Sequence, residues 1–382
     1  MPRVFQALAG LALLFVATFG IATRAGEVIT SADYKVLVPI RHGNLAVFPV
    51  VASASHDTGQ FLTLDEGLKS GEVEVTESGM VRGLIRRPPK DGVVIQPRYP
   101  VGDVAQVNKL VLVNNSKRPL LLLAGEIVTG GKQDRVIAKD RIVPPESDPI
   151  DLDVFCVEPG RWVGTSAKFV SGGIAHDSNG VMAAPSVRGS AMADKDQNKV
   201  WAQAGHAREQ VAVEAQASLP PVAAARAELS RELSQTTSYA KVMQNDQIQA
   251  KVNSIARPIE QEYASTIKQL RDRKAVGVVV AVNGEIVWAD IFASTSLLEK
   301  YWPKLVRSYA TEAVVTRAKG AQVTESAAQV FLADMHGRHE TVDSEPGLYR
   351  HTEIAGDGFK AFALTSLLPK TGFALHISKM TE

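Results

Sequence analysis

Two short stretches of this sequence combine glycine turns with charge in a way that could hold an anion. The first is Gly125-Glu126-Ile127-Val128-Thr129-Gly130-Gly131-Lys132-Gln133-Asp134-Arg135, directly after a hydrophobic strand. Gly130-Gly131 can turn successive backbone N–H groups toward one point, and Lys132 and Arg135 add positive charge. The order GxxxxGK[ST] is missing, so this is neither a Walker A loop nor a dinucleotide fingerprint. The plainer alternative is a tight Gly-Gly hairpin with solvated charges. The second stretch is Cys156-Val157-Glu158-Pro159-Gly160-Arg161-Trp162, a strand end running into a Pro-Gly turn. Arg161 offers a planar fork for a carboxylate or phosphate, and Trp162 a stacking face. The alternative is a Glu158–Arg161 ion pair across the turn, with Trp162 filling core. Glu126, Lys132, Gln133, Arg135, Glu158, Arg161 and Trp162 therefore form one candidate cluster, anion-binding or structural. They converge if the strands ending at Ala124 and Val157 are neighbours.

Other familiar chemistries are missing their residue sets. Cys156 is the only cysteine, so no internal disulfide can form. It sits in an apolar strand, which predicts a buried, inert thiol. His336-Gly337-Arg338-His339-Glu340, with Asp343, Glu345 and His351 nearby, has histidines at i and i+3 among carboxylates. Metal ions use such ligands, but HExxH is absent, and the segment reads as a hydrophilic loop with no metal assigned. There is no GxSxG elbow. No catalytic residue and no cofactor follow from the sequence, and enzymatic activity stays open.

The bulk properties narrow the partners. The chain has 382 residues, 45% hydrophobic and 22% charged, with a formal net charge of +1. That composition is globular and lacks the basic excess expected of a nucleic-acid binder. Residues 1–25 read as a signal peptide: Arg3, an apolar run over 7–21, and Thr23-Arg24-Ala25 before a cleavage point. An uncleaved anchor is the alternative, although the run is short of the roughly 20 residues a span needs. No later run is apolar for long enough, so the mature chain is expected to be exported, periplasmic or secreted, without a membrane span. Oligomeric state is not legible.

The candidate residues need strands to carry them, and the pattern supplies an α+β fold. A hairpin is expected around Gly43-Asn44, a helix over 63–70 capped by Thr63 and Glu66, and strands near 72–76, 108–125 and 150–157. Residues 163–197 read as loop. A helix from about 197 breaks at Ser218-Leu219-Pro220-Pro221, and one or two more follow over 222–273, with a break or kink at Pro258. The apolar run 275–282, the Asn283-Gly284 turn and a partner strand over 285–291 predict a covered sheet. An amphipathic helix over 295–315 follows, with Pro303 kinking it or marking its start, and then two C-terminal strands. This divides the chain into a strand-rich half (26–200), a polar helical connector (201–273) and a C-terminal α/β half (274–382).

The segments GEIVTGGKQDR, VPPESDPIDLDVFCVEPGRW and WPKLVRSYATEA, with Asn283-Gly284, Asp290 and Phe292, resemble one bacterial family. It is the ARG and Rhodanese-Phosphatase-superfamily-associated protein domain, where ARG stands for ADP-ribosylglycohydrolase. The resemblance runs over roughly 35–380 and implies that 26–382 is one integrated domain. Its name associates the family with ADP-ribose and phosphate chemistry, without implying catalytic residues. The expected function is an exported ligand-binding or scaffolding domain, with a small anion as ligand. The alternative is a hydrolase or transferase acting on a nucleotide, ADP-ribose or sugar phosphate.

Overall fold

The alternating apolar runs near both ends of the chain become strands, and the alanine- and glutamine-rich middle becomes helices, giving an α+β fold. A computed structural model describes residues 34–80, 84, 105–172, 180–270, 272–316, 322–345 and 347–382. The signal peptide expected over 1–25 lies outside them. The first part carries β1 (Lys35–Val36), β2 (Ile40–His42), β3 (Leu45–Ala52), β4 (Leu62–Thr63), α1 (Leu64–Ser70), β5 (Val73–Glu77), β6 (Lys109–Asn114) and β7 (Leu120–Leu122). Next come β8 (Ile127–Thr129), β9 (Arg135–Ile137), β10 (Arg141–Val143), β11 (Ile150–Cys156) and β12 (Val170–Ser171). The helices α2 (Pro185–Gly189), α3 (Gln197–Ser218), α4 (Ala223–Ser234), α5 (Tyr239–Met243) and α6 (Asp246–Lys268) follow, with a π-helical turn (Ser190–Asp194) after α2. The chain ends with β13 (Lys274–Val282), β14 (Glu285–Phe292), α7 (Thr295–Val315), α8 (Glu325–Ala333), β15 (Arg338–Glu345), β16 (Tyr349–Ala355), β17 (Phe359–Ser366) and β18 (Ala374–Thr381).

Among the described residues the strands form three sheets. The largest runs β1-β3-β13-β14-β18-β17-β16-β15, with β2 also on β3, so an early strand lies directly against late ones. Asn283 and Gly284 turn β13 into β14 with φ of 55° and 82°, as a two-residue hairpin requires. The other sheets are β12-β8-β9-β11-β6-β5 and β10-β7-β4. Several of their strands are buried on both faces because successive side chains enter different cores. Leu120, Leu122, Ile137 and Val154 join one cluster, while Leu121, Leu123, Val136 and Phe155 join the other.

Helix α7 is the axle of the larger core. It packs on α3, α6 and β13, and Tyr301, Leu305, Val306, Tyr309 and Ala310 are all fully buried. A helix enclosed this widely must find partners for its polar residues. It does: Lys304 meets Asp65 and Glu126, Ser308 Oγ donates to the Ala183 carbonyl at 2.5 Å, and Glu312 accepts from Ser186.

Five local expectations change. Pro258 does not break α6, and Pro303 does not start α7, which begins earlier, where Ser294 Oγ accepts from the Leu297 N–H at 3.0 Å. Tertiary packing outweighs the local cost of each proline. Residues 223–268 form three helices. Part of 163–197 is ordered as β12, α2 and the π turn. The histidine-bearing segment is the hairpin β15–β16, at the edge of the large sheet. Its charges suit an edge strand, and they hide the apolar alternation that would mark one.

Candidate functional site

Six of the seven sequence-selected residues lie around the β8–β9 turn and the end of β11. Gly130 and Gly131 take φ of 129° and 47°, and the turn's N–H groups do point inward. Protein side chains already occupy them. Gly130 N–H donates to Asp134 Oδ1 at 3.0 Å, Gly131 N–H to Ser166 Oγ at 3.2 Å, and Lys132 N–H to Glu77 Oε1 at 2.7 Å. Arg161 is spent in the same way. Its Nη2 lies 2.5 Å from Glu158 Oε2, and its Nη1 donates to the Gly131 and Val163 carbonyls at 2.9 and 2.8 Å. Burial works against the Arg161 charge, but the Glu158 contact outweighs it and raises the pKa. Gln133 Nε2 donates to the Glu158 carbonyl at 3.2 Å. Trp162 is 42% exposed, with Lys132 Nζ 5.1 Å from its ring centre. Arg135 is fully buried beside Cys156, and its Nε and Nη2 find no protein acceptor. Burial pushes the Arg135 pKa down and the Cys156 thiol up.

Glu126 goes elsewhere. The strand ending near Ala124 is β7, which lies in a different sheet from β11. Glu126 Oε2 accepts from the Leu123 N–H at 2.7 Å, and Oε1 pairs with Lys304 on α7. Lys304 also reaches Asp65 at 2.7 Å. Burial raises the Glu126 pKa, whereas Asp65 and Glu126 together outweigh burial at Lys304 and raise its pKa.

A third polar group was invisible in the sequence. Asp290 on β14 takes a bidentate Arg188 from α2 at 2.9 and 3.1 Å, and a hydrogen bond from Tyr309. His376 on β18 bridges Asp290, at 3.1 Å, and Asp140, at 2.5 Å. All four charged side chains are fully buried. Burial alone would lower the His376 pKa, but Asp140 and Asp290 raise it to about 9, so the ring is an imidazolium donating from both nitrogens. Gly125 makes room for Arg188: a Cβ there would meet Arg188 Cγ at 2.4 Å.

Open space lies between the six-stranded sheet, the π turn and the far end of the large sheet. A cleft of about 310 Å³ is bounded there by Phe155 and Ala138 on one side, Ala191 and Met192 on the π turn, and Phe362 and His351 on β17 and β16. Lys139 pairs with Asp153 at 3.2 Å on the β9–β11 side. Lys195, at φ 54° just after the π turn, pairs with Glu353 of β16 at 2.6 Å. A π turn displaces side chains from the α-helical register and often accompanies a site. These residues come from five separated stretches, so no local motif could have announced them.

Fold and site together define an α+β domain in which most of the buried charges among the described residues are locked in pairs and an open, amphoteric cleft remains. The profile of the ARG and Rhodanese-Phosphatase-superfamily-associated Protein domain matches residues 33–380, and the chain belongs to that family. No curated protein and no solved structure matches it. Among the described residues no cluster of histidine, cysteine and carboxylates could hold a metal ion, and no helix is long and apolar enough to cross a membrane.

Proposed function

We propose that this is an exported ligand-binding domain whose site is the cleft between the β9–β11 wall, the π turn and β16. The observation that carries this reading is the cleft's make-up: an apolar floor, both signs of charge at its rim, and a volume within the range of small-molecule sites. The β8–β9 turn is the weaker candidate, because carboxylates and a hydroxyl fill its donors. Export rests on the apolar run and the small residues before Gly26.

A thermal-shift screen of mature protein tests the reading, using nucleotides, ADP-ribose, sugar phosphates, carboxylates and amino acids. A ligand that binds the native state raises its melting temperature. Ala138→Trp fills the cleft and should remove any such shift. A shift that survives the substitution moves the site elsewhere. Mass spectrometry of exported protein should begin at Gly26, and an intact Met1 would rule export by cleavage out.

A further inference from the structure

We infer that the cleft takes a zwitterion with an apolar side group, that is, an apolar α-amino acid. This rests on the cleft being the binding site. The floor includes Phe155, Ala191, Met192 and Phe362, each at most 9% exposed, which suits a hydrocarbon group, with the buried His351 beside them. The charges sit at the rim, in two separate ion pairs. Lys139–Asp153 belongs to the six-stranded sheet's side, and Lys195–Glu353 joins the end of the π turn to the large sheet. Their side chains are between 26% and 51% exposed.

Exposed pairs of this kind contribute little to folding, so they can exchange partners cheaply. What they exchange for is constrained. A ligand with one negative charge that takes Lys195 leaves Glu353 without its counter-ion, and a ligand with one positive charge does the reverse. A zwitterion replaces both halves at once: its carboxylate takes a lysine and its ammonium takes the released carboxylate. No rim charge is then stranded, and the side group covers the floor. The order of preference is therefore apolar zwitterion, then singly charged apolar compound, then zwitterion without a side group.

The test is isothermal titration calorimetry of the full mature chain with L-leucine, L-leucinamide, isocaproate and glycine. Mildly acidic pH keeps the amino groups protonated. L-leucine should bind, with leucinamide and isocaproate up to roughly fivefold weaker, the cost of one unpaired rim charge. Glycine should be weaker still. Lys195→Gln should weaken L-leucine and isocaproate and leave L-leucinamide binding less affected, with an unchanged melting temperature. Ala138→Trp should abolish binding of all four, with circular dichroism showing that it is folded. Isocaproate binding as tightly as L-leucine overturns the zwitterion and leaves the cleft as an anion site. No binding by L-leucine, L-methionine or L-phenylalanine overturns it too, whatever the wider screen finds. L-leucine binding that ignores both variants removes the cleft itself.

Discussion

The Asp140–His376–Asp290–Arg188 chain and the rim of the cleft each hold two acids and two bases, and burial gives them different work. In the first, every side chain is fully buried and each charge touches its opposite. Water cannot compensate a missing partner there, so the group must be complete for the fold to exist. At the rim, Lys139, Asp153, Lys195 and Glu353 keep solvent beside them, and a lost partner is replaced by water. The same four-charge inventory is structural when sealed and exchangeable when open. Titratable side chains close together thus do not by themselves mark a site in this protein. Access decides.

The sharpest way to break this comparison is Asp290→Asn. It removes the carboxylate shared by Arg188, Tyr309 and His376 and should cost roughly 3–5 kcal/mol, or folding altogether. Urea denaturation measures it, and a loss below about 1 kcal/mol would place the network among cheap pairs. Arg161→Ala should come next, at about 3 kcal/mol, because Glu158 is buried and its partner is only 17% exposed. A near-neutral result there would return Arg161 to the list of ligand-facing residues. The smallest effect is the pH dependence. The His376 proton is held more tightly in the folded chain than in the unfolded one. Its contribution is whole below about pH 6.5 and drains away as pH rises through about 9. Lys379 works the other way, since burial lowers its pKa to about 8 and the folded chain sheds that proton first. Comparing melting temperatures of the native chain and His376→Asn between about pH 6 and 10 separates the two. The native advantage should shrink with rising pH, and parallel curves would mean that His376 is not the charged group.

Sequence reasoning succeeded where the governing contact is local. The Thr63–Glu66 capping box forms as spaced, with both reciprocal hydrogen bonds present. The Asn283-Gly284 hairpin and the Glu158–Arg161 pair, three residues apart, were equally legible. Glu126 was grouped with its sequence neighbours because its true partner, Lys304, lies 178 residues away. Arg188 lies in the stretch that reads as loop, and its partner Asp290 is 102 residues on. The cleft was hidden for the same reason. Nothing in Lys139, Lys195 or Glu353 taken singly differs from a solvated surface charge. The β15–β16 hairpin was missed because its outer strand carries the charges of an edge.

The position of β18 has a consequence for the order of assembly. This last strand lies between β14 and β17, inside the large sheet, and brings the His376 imidazolium to two otherwise adjacent buried carboxylates. Until the final dozen residues arrive, β14 has an unpaired edge and Asp140 lacks its counter-ion. The early strand β3 likewise waits for β13, more than two hundred residues later. A chain synthesised from its N-terminus thus cannot complete this core before β18 has emerged, and such long-range closure is slow.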